Sequence, residues 1–275
     1  MGLLQETCDA IHSRSKEIEQ HIIKNWNDAS DSKQYGRLVN MVAQYGAATN
    51  QKNVTIPKPC MIIASADHGV ADMGVSAYPK ETTVGMTQNY LIPKGAGANS
   101  LANYCGAHME VIDMGIDADM SWVPGLRSHK LGMGTKNFVE EPAMTREQAI
   151  EGIETGIKLV QEKMADGYNV FLVGEMGISN TTASALMTAK FAGLTAEEAT
   201  GRGTNISDER LKLKQRIVHD VLVKYKDIPK DDAIGILAAV GGFEFTCIVG
   251  VILGAAAHHG MVIIDGFNTS ACALV

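Results

Sequence analysis

Val173-Gly174-Glu175-Met176-Gly177-Ile178-Ser179-Asn180-Thr181-Thr182 decides how this chain folds and what it can bind. The apolar run Tyr168 to Val173 precedes it and predicts a strand; Ala183 to Lys190 follows and predicts a helix. A strand that ends in a Gly-rich turn and opens a helix is an anion cradle. The first N–H groups of the helix lack partners, and its dipole favours negative charge there. Gly174 and Gly177 let the backbone come close to a ligand. Asn180, Thr181 and Thr182 supply short polar arms for a phosphate or a ribose. Glu175 is repelled by such a ligand unless it faces a cationic or protonated centre instead. The plainer alternative is a tight βα turn with Asn180 or Thr181 as helix cap.

The 275 residues suit one large domain, or one domain with an appendage. A net charge of −7 argues against a nucleic-acid surface, which needs a basic stripe, and against a polybasic membrane anchor. Cys8, Cys60, Cys105, Cys247 and Cys272 are scattered and form no C-x-x-C. That pattern supports neither a zinc site nor a redox pair, and it fits a reducing cytoplasm. The start turns polar at Gln5 and Glu6, so no signal peptide is expected. Ile234 to Ala257 is small and apolar, but Glu244 near its middle is costly in lipid. A buried, Gly-rich helix of a soluble core is expected there.

Along the chain, residues 3–25 and the stretch Leu38 to Tyr45 have helical apolar spacing, and Gly46 to Lys58 reads as a loop. Then the pattern changes. Cys60 to Ser65, Val111 to Gly115, Tyr168 to Val173 and Met261 to Gly266 read as strands buried on both faces. Helices are expected near 81–105, 145–165, 181–192, 208–226 and 234–257. This β-then-α order predicts an α/β fold, a parallel sheet with helices on both faces. Its ligand belongs beyond the carboxyl ends of the strands. Those ends carry Asp67 and His68, Asp113, Glu175 and Asp265. The expected division is a small helical domain in residues 1–50 and an α/β domain in 51–275.

Gly201-Arg202-Gly203-Thr204-Asn205 forms a second polar loop, with Ser207 or Asp208 capping the next helix. Lys212 or Lys214 there can reach back to a phosphate in the cradle, or simply face solvent. Ser76-Ala77-Tyr78-Pro79 with Met86 suits a flat aromatic ligand; the alternative is a surface turn and core packing. His68 is a candidate base or metal ligand, but no second ligand stands at metal spacing. His258-His259 closes a helix. Gly95 to Ser100 resembles part of a dinucleotide fingerprint but follows no strand, which counts against a nucleotide-dependent oxidoreductase.

Several blocks occur together in one family. They are Ala66-Asp67-His68-Gly69-Val70, Gly74 to Pro79, Glu140 to Thr145, Gly174-Glu175-Met176-Gly177-Ile178, Gly201-Arg202-Gly203-Thr204, Ala238 to Glu244 and Asp265-Gly266-Phe267. In this order they resemble nicotinate-nucleotide:5,6-dimethylbenzimidazole phosphoribosyltransferase, from about residue 20 to the last residue. The resemblance implies a Rossmann-like parallel sheet and a small helical domain built from both chain ends. It implies a homodimer; a cytoplasmic protein without metal or other cofactor is the expectation from the cysteine pattern and the lack of metal-ligand spacing. The reaction it implies moves the phosphoribosyl group of nicotinate mononucleotide to an aromatic base, inverting at the anomeric carbon. Glu175 would be the catalytic carboxylate, steadying positive charge at that carbon. Gly174, Gly177, Ser179, Asn180, Thr181, Gly203, Thr204, Lys214 and Asp265 would bind the nucleotide, and Ser76, Tyr78 and Met86 the acceptor.

This sequence departs from the family at several positions. The family's general-base glutamate stands in a Gly-Glu-Gly-Thr segment that residues 1–275 do not contain. Glu175 substituting for it and a non-catalytic or partner-dependent paralogue are the alternatives, beside a chain that continues. Ser179 and Asn205 stand where the family usually has glycine, Ser207 where it has aspartate, and Gly85 where it has glutamine. These changes leave benzimidazoles, purines and phenols open as acceptors.

Overall fold

The computed structural model describes residues 2–30 and 32–275. The chain runs α1 (Leu3–Asp9), α2 (Lys16–Ala29), α3 (Leu38–Ala48), β1 (Pro59–Ala66), α4 (Thr82–Leu91), α5 (Gly97–Cys105), β2 (His108–Gly115) and β3 (Leu126–Ser128). It continues with α6 (Arg146–Ala165), β4 (Val170–Met176), α7 (Asn180–Ala192), α8 (Ala196–Ala199), α9 (Asp208–Lys224), α10 (Ala233–Val240), α11 (Phe243–Ala257), β5 (Met261–Ile263) and α12 (Phe267–Cys272). The strands form one parallel sheet in the order β3-β2-β1-β4-β5.

Period-two alternation puts helices on both faces. From β1 and β4, Cys60, Ile62, Ala64, Phe171 and Val173 enter the main core under α11. Met61, Ile63 and Met176 point the other way, into a cluster with Tyr90 and Leu91 of α4. α6 lies along α11 at close range. A Cβ at Gly250 would lie 2.9 Å from the Gly156 Cα, so the small residues of this segment serve helix contact. Among the described residues no helix is long and apolar enough to cross a membrane.

Several expected boundaries move. Residues 3–25 contain two helices, because the chain leaves α1 at Asp9 and Ser15 caps α2 by accepting from the Ile18 N–H at 3.2 Å. The 81–105 helix is two, broken around Pro93, with Lys94 at φ 53°. The 234–257 helix is also two, parted at Gly241-Gly242. β3 was not foreseen; three residues on the sheet edge are too short for a periodic signal. β5 was expected to be buried on both faces, but it is the opposite edge strand, with Ile263 45% exposed.

Ile18, Ile22, Ala43 and Ala47 of α2 and α3 form a cluster apart from the main core. Tyr45 of α3 ties this pair to the sheet by accepting from the Asn169 amide at 2.7 Å. Leu3 and Leu4 of α1 instead pack on the main core, and α1 lies against α6 and α11.

Candidate active site

From β1 the chain moves outward to β2 and β3, then returns to the other side of β1 as β4. The order reverses between β1 and β4, and a crevice beyond their carboxyl ends follows from that reversal. Ala64 pairs with Glu175 and Ser65 with Met176, so Asp67 and His68 leave β1 beside the Gly177 turn. Parity gives Glu175 the same face as Phe171 and Val173, towards α11.

There Glu175 enters a polar network in the core. Asn180 donates its amide to Glu175 Oε2, and Asn268 donates to Glu175 Oε1 at 3.0 Å. Asn268 also donates to Asn180 Oδ1 at 2.9 Å and accepts from the Ser184 hydroxyl at 2.7 Å. On the far side, Glu244 in the first turn of α11 approaches the Asn180 amide at 3.4 Å and is hydrogen-bonded to His68 Nε2 at 2.7 Å. His68 and Glu244 are 1% and 0% exposed, so neither is solvated in compensation. Burial raises the Glu175 pKa, against the hydrogen bonds from Asn268 and Asn180. Burial alone would lower the His68 pKa; the Glu244 carboxylate, helped by Asp67 and Glu175, outweighs it and raises it.

Two glycines make room for the pair. A Cβ at Gly177 would lie 2.5 Å from the Ala66 carbonyl oxygen and 3.1 Å from His68 Cδ2. One at Gly242 would collide with Glu244 Oε2 and His68 Cε1. Next to Gly177 the turn is left-handed at Ser179, φ 76°, and α7 starts at Asn180, so Ser179 rather than Asn180 or Thr181 holds the cap position. Asn205 of the second loop is also left-handed, φ 58°. Both conformations favour glycine, which accounts for the residue the resemblance places there.

On the outer side of the turn, Lys214 reaches in from α9 while Lys212 stays exposed. Lys214 Nζ donates to Thr181 Oγ1 at 2.7 Å and to the Gly201 carbonyl at 3.3 Å. Its side chain is buried, and burial lowers its pKa to about 8. Among the described residues it has no carboxylate partner, which is unusual for a buried ammonium. Gly203, φ 64°, lets its loop pass over the pair; a Cβ there would stand 2.7 Å from Thr181 Oγ1. The same loop anchors the Ser76 segment: Thr204 Oγ1 lies 3.1 Å from Ser76 Oγ and accepts from the Ala77 N–H at 2.9 Å. Arg210 of α9 donates to the Ser76 carbonyl at 2.9 Å.

The fold therefore brings together Glu175, Gly177, Asn180, Thr181, Gly203, Thr204, Lys214 and Ser76. Both ends of the Asn180 amide are engaged within the network, so it faces Glu175 rather than outward. Gly174 lies inside β4 opposite Ile63. Tyr78 is exposed and Met86 partly buried on α4, and Asp265 is exposed between β5 and α12; no hydrogen bond joins these three to Glu175. Glu244 and Asn268 were not anticipated as site residues, and His68 was considered without its partner. The available signal was an acidic residue just after Gly241-Gly242, in the first turn of a buried helix, with a histidine waiting at a strand end.

A family model described as "Phosphoribosyltransferase" matches residues 11–275. The nicotinate-nucleotide–dimethylbenzimidazole phosphoribosyltransferase of Geobacter metallireducens is 44% identical over 240 residues, 87% of this chain and 67% of the relative. The enzyme of that name from Chloroflexus aggregans is 42% identical over the same shares of both chains. The crystal structure of CobT from Thermus thermophilus superposes with a TM-score of 0.87 at 32% identity, covering 94% of this chain and 77% of that one. Sequence and fold agree, and the chain belongs to the phosphoribosyltransferase family.

Proposed function

We propose that this chain transfers the phosphoribosyl group of nicotinate mononucleotide to a ring nitrogen of an aromatic base of the dimethylbenzimidazole type. The observation that carries this reading is Lys214, a buried ammonium beside Thr181 and Gly203 with no carboxylate partner among the described residues. The phosphate of the donor answers that charge. Glu175 then lies towards the ribose and away from the phosphate. As the C1′–N bond to the pyridinium breaks, its electron pair goes to the ring nitrogen, nicotinate departs, and positive charge grows on the sugar. An ionised Glu175 favours that charge electrostatically. The lone pair of one ring nitrogen of the base forms the new C1′–N bond from the opposite face, its other ring nitrogen gives up its proton to solvent, and the β-linkage becomes α.

Ser76 and Tyr78 belong to the acceptor side, since the Ser76 segment is tied to the Thr204 loop; Met86 is assigned there with them. Gly174, Ser179 and Asp265 border the donor. α2 and α3, within residues 1–50, act as the small helical unit, with residues 51–275 and α1 forming the transferase body. A cytoplasmic homodimer completes the reading, on the strength of the resemblance and the free cysteines.

Nicotinate release from nicotinate mononucleotide, followed by chromatography with and without added base, tests the function. Release is expected only when an aromatic base is present, and a panel of benzimidazoles, purines and phenols identifies the acceptor. Silence across the panel sinks the reading. Light scattering at micromolar concentration tests the dimer.

A further inference from the structure

His68 and Glu244 stand behind Glu175, both buried. They are 176 residues apart in sequence and 2.7 Å apart in the fold. A buried pair of this kind costs desolvation that an apolar pair avoids, so stability alone does not account for it. Its geometry suggests a different task. Glu244 Oε1 is shared between His68 Nε2 and the Asn180 amide, and that amide donates to Glu175. Gly177 and Gly242 close on the pair from two sides, where an added Cβ would crowd both side chains.

Charge points the same way. Asp67 from the end of β1, Glu175 from β4 and Glu244 from α11 are the acidic groups around His68, and the Phe245 ring lies at 5.8 Å. Its Nδ1 is buried without a partner among the described residues, and the residue is among those that line a cleft of about 420 Å³. On that cleft Lys80 is paired with Asp117 at 2.6 Å, while Asp72, Lys136, Glu140 and Glu141 line it further out. Three carboxyl groups thus converge on the His68 ring.

We propose that His68 and Glu244 are positioning residues for the transfer: they orient the Asn180 amide onto Glu175 and provide the buried positive charge that keeps Glu175 ionised. This rests on the role given to Glu175 above. Without the imidazolium, three neighbouring carboxylates repel one another and Glu175 takes up a proton. A neutral Glu175 no longer steadies a cationic sugar, although Lys214 and Thr181 still grip the phosphate.

Two measurements test this. In wild-type protein labelled with 15N-histidine and assigned through the backbone, the His68 ring is expected to carry protons on both nitrogens at pH 7. A neutral ring at pH 7 overturns the proposal, and this readout needs no variant. The second measurement compares wild type with His68→Gln in 13C-carboxyl-labelled glutamate spectra, with Glu175→Gln assigning the resonance. The Glu175 midpoint is expected to rise by about one pH unit or more. The acid limb of kcat should move alkaline with it, kcat at pH 7 should fall about tenfold, and KM for nicotinate mononucleotide should change less than about threefold. A stationary Glu175 midpoint, or a loss confined to KM, overturns the proposal. If wild type transfers nothing, the functional reading fails, while the two titrations still decide whether His68 sets the charge of Glu175.

Discussion

Lys214 Nζ donates a 2.7 Å hydrogen bond to Thr181 Oγ1, joining α9 to the first turn of α7. The contact places a cation at the positive end of a helix, an arrangement that disfavours both unless an anion lies between or beside them.

Replacing Lys214 therefore separates stability from binding. Its pKa is depressed from 10.5 to about 8 by burial. The folded state binds fewer protons at this group than the unfolded chain between those pH values. The penalty is complete below pH 8 and fades as pH rises towards 10.5. It corresponds to roughly 3 kcal/mol, offset by the two hydrogen bonds lost. Lys214→Met is expected to keep or raise Tm in calorimetry at pH 7, while Kd for nicotinate mononucleotide weakens roughly 10- to 100-fold. A variant that loses stability but binds normally contradicts the phosphate assignment.

Donor binding should draw a proton from solution. A phosphate beside Lys214 raises a pKa that burial has lowered, so uptake grows as pH climbs from 7 to 8. At pH 8 about half a proton is expected per site. Titration calorimetry in two buffers of different ionisation enthalpy measures it; Lys214→Met should abolish the difference.

Glu175→Gln removes the charge and one of the two acceptors, so it keeps one of the amide hydrogen bonds from Asn180 and Asn268. We expect kcat to fall about 100-fold with little change in donor affinity. Equal turnover in wild type and variant would leave Glu175 a structural role.

Gly242→Ala and Gly85→Ala make a matched pair. A Cβ at Gly242 meets Glu244 and His68, so a loss of about 2 kcal/mol or more is expected. At Gly85, exposed inside α4 with nothing within 4 Å, the same change should add up to about 1 kcal/mol. Urea denaturation of both variants tests whether the Gly242 contact is as tight as described.

Ser179→Gly should stabilise by up to about 1 kcal/mol, because the φ of 76° penalises a side chain. The Ser179 hydroxyl is buried without a partner among the described residues, so its removal forfeits no hydrogen bond. A drop in Tm would point instead to a contact made by that hydroxyl.

Much of the architecture was legible in order and period. Cys60 to Ser65 and Val111 to Gly115 are apolar enough to be recognised as interior strands, and the glycines of the 174–177 turn mark the bend into α7. Edge strands were less legible: β3 and β5 are three residues each, too short for alternation to register and half open to solvent. Helix breaks at Gly241-Gly242 and Pro93 also went unread, since the apolar pattern continues across both.

The candidate site divides in the same way. Glu175, Thr181 and Gly203 were legible because each lies in a local motif, whereas that pattern left Lys212 and Lys214 both open until the fold buried Lys214 against Thr181. What the amino-acid order determined unaided is the parallel sheet and the Gly-rich turn at its switch point. Only tertiary structure decided that Glu244, Asn268 and His68 converge on Glu175. They come from α11, α12 and the end of β1, and nothing in their spacing couples them. Folding alone removes the water that would otherwise satisfy those side chains, and in its absence they must satisfy one another.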